Sequence, residues 1–423
     1  MNTTHKDTSI YFHLKNTWRA LSRPNKGLFL FLLISLVPSV CVLFMGIFAR
    51  IGLATINPYI QNIILAISLL FIMPLLREKV RMNDLLLFVA IVIFIYISPR
   101  IWPASRPFVD EYAGPFLWTV VPYIFIGLII DYEQHKDLLL AISRLALFIE
   151  LFVQFLIQLG ITNSMGRADD GTSGEQMVAA YDFIFAAMYL FMEAEHSRKA
   201  VDVVLASLSF ILLLFMGTRG PIVVYGFFIM GYFIVFKKYE KFNLSKKILI
   251  CLFFYLFYSF IDVVLLLLMP LANAIGFSTR VFDAISSGAF VNLEESNGRD
   301  SIWETCFDAL KYHPEGYGWG GDRYVVVGDW YDFFGYAHNF AVEILVQFGW
   351  VIGGVMLLSL FILLLRAFKK SAGTPDCSFL FFLFCAGIMT LMTSQSYIVH
   401  PLLFLLIGYC VSLLRLPRRI VQK

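Results

Sequence analysis

The 423-residue sequence is 59% hydrophobic and only 15% charged, with a mean hydropathy of +0.76, which excludes a soluble fold of this size. A formal net charge of +3 is too small for a nucleic-acid partner, and the basic residues fall instead into loops between apolar runs. Those runs show no period-2 alternation, which argues against a barrel and leaves an all-α polytopic membrane protein as the expected fold.

In chain order, residues 1–27 are polar and basic, with Tyr11, Leu14, Trp18 and Leu21 at helical spacing beside Lys15, Arg19 and Arg23. That is the pattern of an amphipathic anchor on anionic lipid. Apolar runs then predict about twelve transmembrane helices, at 28–48, 56–76, 84–99, 115–130, 138–160, 177–193, 201–217, 221–236, 248–270, 338–365, 379–396 and 400–414. The first lacks a small-residue cleavage site and reads as retained. The expected organisation is a cytoplasmic N-terminus (1–27), nine helices (28–270), a large polar loop (271–336), three further helices (337–414) and a basic tail (415–423).

The sidedness follows from charge. Alternate loops, starting with the N-terminus, hold the lysine and arginine clusters, among them Arg77, Lys79 and Arg81; Lys237, Lys238 and Lys241; and Arg366, Lys369 and Lys370. By the positive-inside rule these are cytoplasmic, so the large loop is expected on the opposite, non-cytoplasmic face together with Arg167, Arg219 and Arg299. No phosphate-cradling GxxxxGKS motif lies on the inner loops, which argues against cytosolic nucleotides. The six cysteines lie mostly in apolar segments without metal-ligand spacing and read as packing residues.

Three residues on the outer face stand out. Arg219 is the lone charge in the turn Met216-Gly-Thr-Arg-Gly-Pro221, between two apolar segments. An uncompensated cation at that depth costs roughly 2.5–3.5 kcal/mol, so a partner or an anionic ligand is expected, snorkelling to lipid phosphate being the plainer reading. Arg299 falls where an amphipathic helix carrying Trp303, Cys306, Phe307 and Leu310 begins, capped by Asn297 or Asp300. Such a helix start beside an arginine suits an anion, while an ion pair with Glu294 or Glu295 would explain it without one. His338 stands where the chain re-enters the membrane, followed by Asn339, Glu343 and Gln347. A neutral imidazole there is suited to take a proton from a sugar hydroxyl, or is simply hydrogen-bonded. Asp169 and Asp170 lack a third close ligand for a metal.

Four strings carry these residues: GRADDGTSGEQMVAAY (166–181), LFMGTRGPIVVYG (214–226), NGRDSIWETCFDALKYHPEGYGWG (297–320) and AHNFAVEILVQFGWVIGG (337–354). In this order they resemble the O-antigen polymerase and O-antigen ligase superfamily of bacterial envelope glycosyltransferases. The Arg-x-x-x-Trp helix, the His-Pro-x-Gly-x-Gly turn and the His-Asn pair together carry the likeness. Glu175-Gln176 stand where that family often has Pro-Asn.

The resemblance implies a GT-C-like membrane fold whose periplasmic loop contains short helices. It implies glycan transfer at the periplasmic face of the bacterial inner membrane from undecaprenyl diphosphate to an acceptor sugar hydroxyl, inverting and without metal, nucleotide or other cofactor. In that scheme Arg219 and Arg299 bind the donor diphosphate, and His338 is the general base. Arg167, Asn339, Trp303, Glu343 and Trp319 contact substrate, with Trp319, Trp330 and Tyr331 stacking on sugars. Within the superfamily the Gly-Thr-Arg-Gly turn and the glycine-rich loop favour a polymerase of O-antigen repeat units, working with a chain-length regulator, over a ligase acting on lipid A core. A flippase or transporter is the alternative from another class, but it would place charges at the midplane and show two related halves, and neither is visible.

Overall fold

The computed structural model describes residues 21–37, 40, 57–158, 174–216, 218–233, 270, 299–327 and 335–416. Much of the span expected at 28–48, nearly all of 248–270, most of the 271–336 loop, Arg167, Asp169, Asp170, Trp330 and Tyr331 lie outside them. The described residues are all-helical, without a strand. The helices are α1 (Arg23–Leu36), α2 (Asn57–Lys79), α3 (Met82–Ile101), α4 (Arg106–Pro115), α5 (Tyr123–Ile129), α6 (Tyr132–Gln158), α7 (Gly174–Ser197) and α8 (Ala200–Phe215), followed by α9 (Arg219–Gly231). After these come α10 (Arg299–Tyr312), α11 (Gly321–Val327), α12 (Phe340–Phe348), α13 (Gly354–Ser371), α14 (Pro375–Phe384), α15 (Thr390–Thr393) and α16 (Pro401–Arg415).

Five continuous helical stretches among these residues are long and apolar enough to cross a membrane: Met82–Ile101, Pro103–Ile129, Tyr132–Leu156, Phe340–Ser371 and Pro375–Thr393. Hydrocarbon offers the backbone no hydrogen-bond partner, so a run of this composition satisfies itself as helix. Three of the stretches contain a π-helical segment, at Phe116–Val120, Gly349–Gly353 and Cys385–Met389. On α3 the side chains of Leu86, Ile93 and Ile97 are exposed, as suits a helix whose surroundings are lipid.

The chain forms two compact units, one of residues 1–78 and 131–216, the other of 79–130 and 217–423. In the first, α6 packs against α1, α7 and α8, and α7 against α8. Its polar tie is a buried ion pair in which Arg144 Nη2 meets Asp202 Oδ1 at 2.5 Å, while Ser197 Oγ donates to Asp202 Oδ2 at 2.6 Å. The carboxylate thus joins α6 to the start of α8, in a medium where either charge alone would be costly.

The second unit is built around α16, which packs on α5, α13 and α14. The α5–α16 crossing is close because both helices present glycine: a Cβ on Gly408 would lie 2.0 Å from the Ile124 carbonyl, and one on Gly127 2.3 Å from that of Leu405. Such backbone-to-backbone contact is how helices gain packing without a hydrophobic driving force. One end of α16 is basic, with Arg415 bonded to both Asp84 carboxylate oxygens at 2.8 and 2.5 Å, and Lys370 Nζ donating to the Leu414 carbonyl at 2.8 Å. The other end opens from a polar bend, residues 394–400, that follows α15.

Candidate active site

Two of the residues singled out as chemical meet consecutive carbonyls where α15 gives way to that bend. Arg299 is the first residue of α10, and its Nη1 donates to the Thr393 carbonyl at 2.7 Å, at the end of α15. A last-turn carbonyl lacks an intrahelical partner. The guanidinium fills that vacancy and retains other donors for a ligand.

His338 reaches the next carbonyl. Its Nδ1 lies 3.4 Å from the Ser394 carbonyl oxygen and 3.5 Å from Ser394 Oγ. A carbonyl only accepts, so this contact favours the tautomer with hydrogen on Nδ1 and leaves Nε2 as the nitrogen able to take a proton. Tyr336 fixes the ring from the side, with centroids 4.0 Å apart, and its hydroxyl donates to the same Ser394 carbonyl. The His338 backbone has φ +51°, a left-handed conformation that a side chain adopts only when its surroundings impose it. Burial, and then the neighbouring Arg299 guanidinium, push the imidazole down to about 4. It is therefore neutral at ordinary pH and able to act as a base.

Arg219 opens α9, behind Thr218, and α9 packs against α15 and the π-helical Cys385–Met389 stretch. All three residues thus belong to elements gathered on 385–394: Arg219 through helix packing, Arg299 and His338 through consecutive carbonyls.

The expected substrate contacts are placed differently. Asn339 caps α12, its Oδ1 accepting from the Ala341 and Val342 amides at 3.0 and 3.3 Å, because a helix start needs an acceptor for its free N–H groups. Trp303 Nε1 donates to the Ala337 carbonyl at 2.9 Å, and its ring packs with Cys306, Leu310, Val342 and Val346, so it clamps α10 onto α12. Trp319 is 2% exposed with its ring 5.2 Å from Phe116, and therefore offers no open face for a sugar. Glu343 is fully buried and faces Arg323 at 3.5 Å, which leaves it in an internal network rather than on an open surface. Cys306, Cys377, Cys385 and Cys410 are buried and unpaired by disulfides, in keeping with packing roles. Among the described residues no three His, Cys, Asp or Glu side chains are grouped to hold a metal ion.

The glycine-rich turn after α10 is a structural joint. Gly316, Gly318 and Gly349 all have positive φ, and a Cβ on Gly349 would lie 2.3 Å from the Pro314 carbonyl. The Tyr317 and Gly318 amides donate to the Val346 and Gln347 carbonyls at 2.9 and 2.8 Å, and Trp350 donates to Pro314 at 3.0 Å. The end of α12 is thereby satisfied by the turn. Trp319 and Tyr397, together with Phe116, Phe348, Leu360 and Phe404, line an almost wholly apolar cavity of about 420 Å³.

Sequence reasoning missed the 394–400 bend and Arg323. The bend was read as the end of one apolar span and the start of the next, since Thr393, Ser394, Gln395 and Ser396 are uncharged and hardly lower the hydropathy. The polar run Thr-Ser-Gln-Ser (393–396) is the signal that could have found it.

No curated protein and no solved structure matches the chain. Residues 203–358 match the protein family described as O-antigen ligase, a segment that includes Arg219, Arg299 and His338 but stops short of the Thr393 and Ser394 carbonyls that receive two of them. The match agrees with the resemblance drawn from the four strings: over residues 203–358 the chain is similar to the O-antigen polymerase and ligase superfamily, and its long apolar helices suit a membrane protein.

Proposed function

We propose that the protein transfers a glycan from undecaprenyl diphosphate to an acceptor sugar hydroxyl at the periplasmic face of the inner membrane, as a polymerase of O-antigen repeat units. The observation that carries this reading is the pairing of Arg299 and His338 on the adjacent Thr393 and Ser394 carbonyls, one a fixed cation and the other a neutral base. An inverting transfer needs both: a cation where the leaving diphosphate gains charge, and a base on the attacking hydroxyl. In the proposed mechanism His338 Nε2 takes the hydroxyl proton as the acceptor oxygen attacks the anomeric carbon. The bond to the diphosphate breaks, and Arg299, joined by Arg219, neutralises the departing anion. The apolar cavity suits a hydrocarbon chain near the site.

The reading takes with it a bundle of about twelve spans, a periplasmic loop at 271–336 clasping the sugars, Arg167 as a further donor contact and a chain-length regulator as partner. A ligase passing finished glycan to lipid A core is the second reading, favoured by the description of the matched family. A deletion strain separates them. Lipopolysaccharide reduced to a single repeat supports the polymerase, whereas bare core with accumulated lipid-linked polymer supports the ligase. Purified protein that lengthens lipid-linked repeats without ATP supports either transferase, and failure with every such donor returns the transporter.

A further inference from the structure

Arg323 enters neither the proposed chemistry nor the resemblance, yet it is buried among several polar partners in the second unit. It is 6% exposed, and its Nη1 lies 3.2 Å from Asp322 Oδ1 and 3.5 Å from Glu343 Oε1. Its Nη2 donates to Ser396 Oγ at 2.9 Å, and Ser396 Oγ in turn donates to Glu343 Oε1. The other Glu343 oxygen accepts from the Tyr397 amide at 3.3 Å. Gln347 closes the ring, donating to Asp322 Oδ1 at 2.6 Å and accepting from the Tyr397 hydroxyl.

Two routes lead from this cluster to the candidate base. Through Ser396 and Tyr397 it grips the bend two residues beyond Ser394, whose carbonyl faces His338. Through its guanidinium face Arg323 lies between the Tyr112 and Tyr336 rings, 4.9 and 6.0 Å from their centroids, and Tyr336 packs on His338. The bend has only turn-type backbone bonds, Val399 N to the Ser396 carbonyl at 3.2 Å and His400 N to the Tyr397 carbonyl at 3.4 Å, and the side-chain bonds add to these in fixing its shape. A buried cation with two carboxylates is a costly way to gain stability alone, and specifying one geometry is its better-attested use.

We infer that Asp322, Arg323 and Glu343 are positioning residues, which hold the 394–397 bend and Tyr336 so that the Thr393 and Ser394 carbonyls set Arg299 and His338 in register. The inference rests on the transferase reading, and its test has one arm that needs no turnover. Full-length protein in proteoliposomes is given a polyprenyl-diphosphate-linked oligosaccharide, and separately treated with diethyl pyrocarbonate, with modification of His338 read by mass spectrometry.

Ser396→Ala removes the link from cluster to bend without removing a charge, and Glu343→Gln weakens the grip on Arg323. Both are expected to lower kcat about tenfold to a hundredfold, as an ångström-scale misplacement does, with donor KM little changed. Both are also expected to change the rate of His338 modification at wild-type abundance and thermal stability. Arg323→Lys, which keeps the charge but not the fork, should fall between. In a His338→Ala background, Ser396→Ala should cost less than in the wild type, since only its effect through Arg299 remains.

Unchanged kcat and unchanged His338 reactivity in Ser396→Ala overturn the inference. So does a loss of activity that merely tracks loss of folded protein. Should Glu343→Gln fail to accumulate, Ser396→Ala still decides. A wild type inactive on every lipid-linked donor defeats the transferase reading, while the His338 reactivity still reports whether the cluster sets the imidazole.

Discussion

Arg144 and Arg323 are both buried arginines that meet carboxylates, and they do different work. Arg144 makes one short contact to Asp202 and joins two helices of the first unit. Arg323 meets two carboxylates, a serine and two aromatic rings, most of them on or beside the bend that faces His338 and Arg299. A cation paired once between regular helices adds rigidity where the backbone is already satisfied. A cation paired many times around an irregular segment gives shape to a backbone that has no ladder of its own. The difference teaches where to look for chemistry in an apolar bundle: at helix breaks, where carbonyls are free to orient side chains.

The comparison can be broken at several points. His338→Ala should lower transfer by about 10²–10⁴-fold, the usual share of a positioned base, with normal membrane abundance. Near-normal product length on a gel would remove His338 from the mechanism. Asp202→Ala should instead cost about 3–5 kcal/mol of stability, read as lower abundance and melting temperature, because it leaves Arg144 buried without its partner. Activity per folded molecule should survive, and a selective loss of turnover would show that the first unit does more than scaffold.

Arg299→Gln should lower kcat by about 10²–10³-fold, as loss of a charge-stabilising donor does. It also bears on pH. With the imidazole at about 4, the wild-type profile should stay flat from neutral pH down to about 5 and fall below that as the base protonates. Removing the Arg299 charge removes a force that disfavours imidazolium, so the acid limb should move to higher pH. An unmoved limb would mean that the two groups do not sense each other. The smallest effect is expected from Ser394→Ala, about threefold or less, since the long 3.5 Å Oγ contact is lost while the backbone carbonyl stays.

Much of the fold was legible because lipid makes a simple demand: apolar runs of sufficient length become helices, and their charges gather at the ends. Arg299 and His338 were legible on other grounds, Arg299 as a cation at a helix start and His338 as an imidazole where the chain re-enters the membrane. Hydropathy could not show that Trp303 and Trp319 turn inward, since an aromatic ring scores alike on a platform and in a core. It also hid the 393–396 run inside an apparent span, because small hydroxyl residues hardly change a window average. Nothing in the local sequence marks Arg323, since its worth lies in partners some 20 and 70 residues away along the chain.

The left-handed backbone at His338 has a practical consequence. Glycine adopts that conformation without strain and alanine does not, so the gentlest deletion of the ring is His338→Gly. That substitution leaves a slot the shape of an imidazole between Tyr336 and the Ser394 carbonyl. Free imidazole added to the assay then becomes a reagent for chemical rescue. Restored turnover would tie the lost activity to the missing base itself.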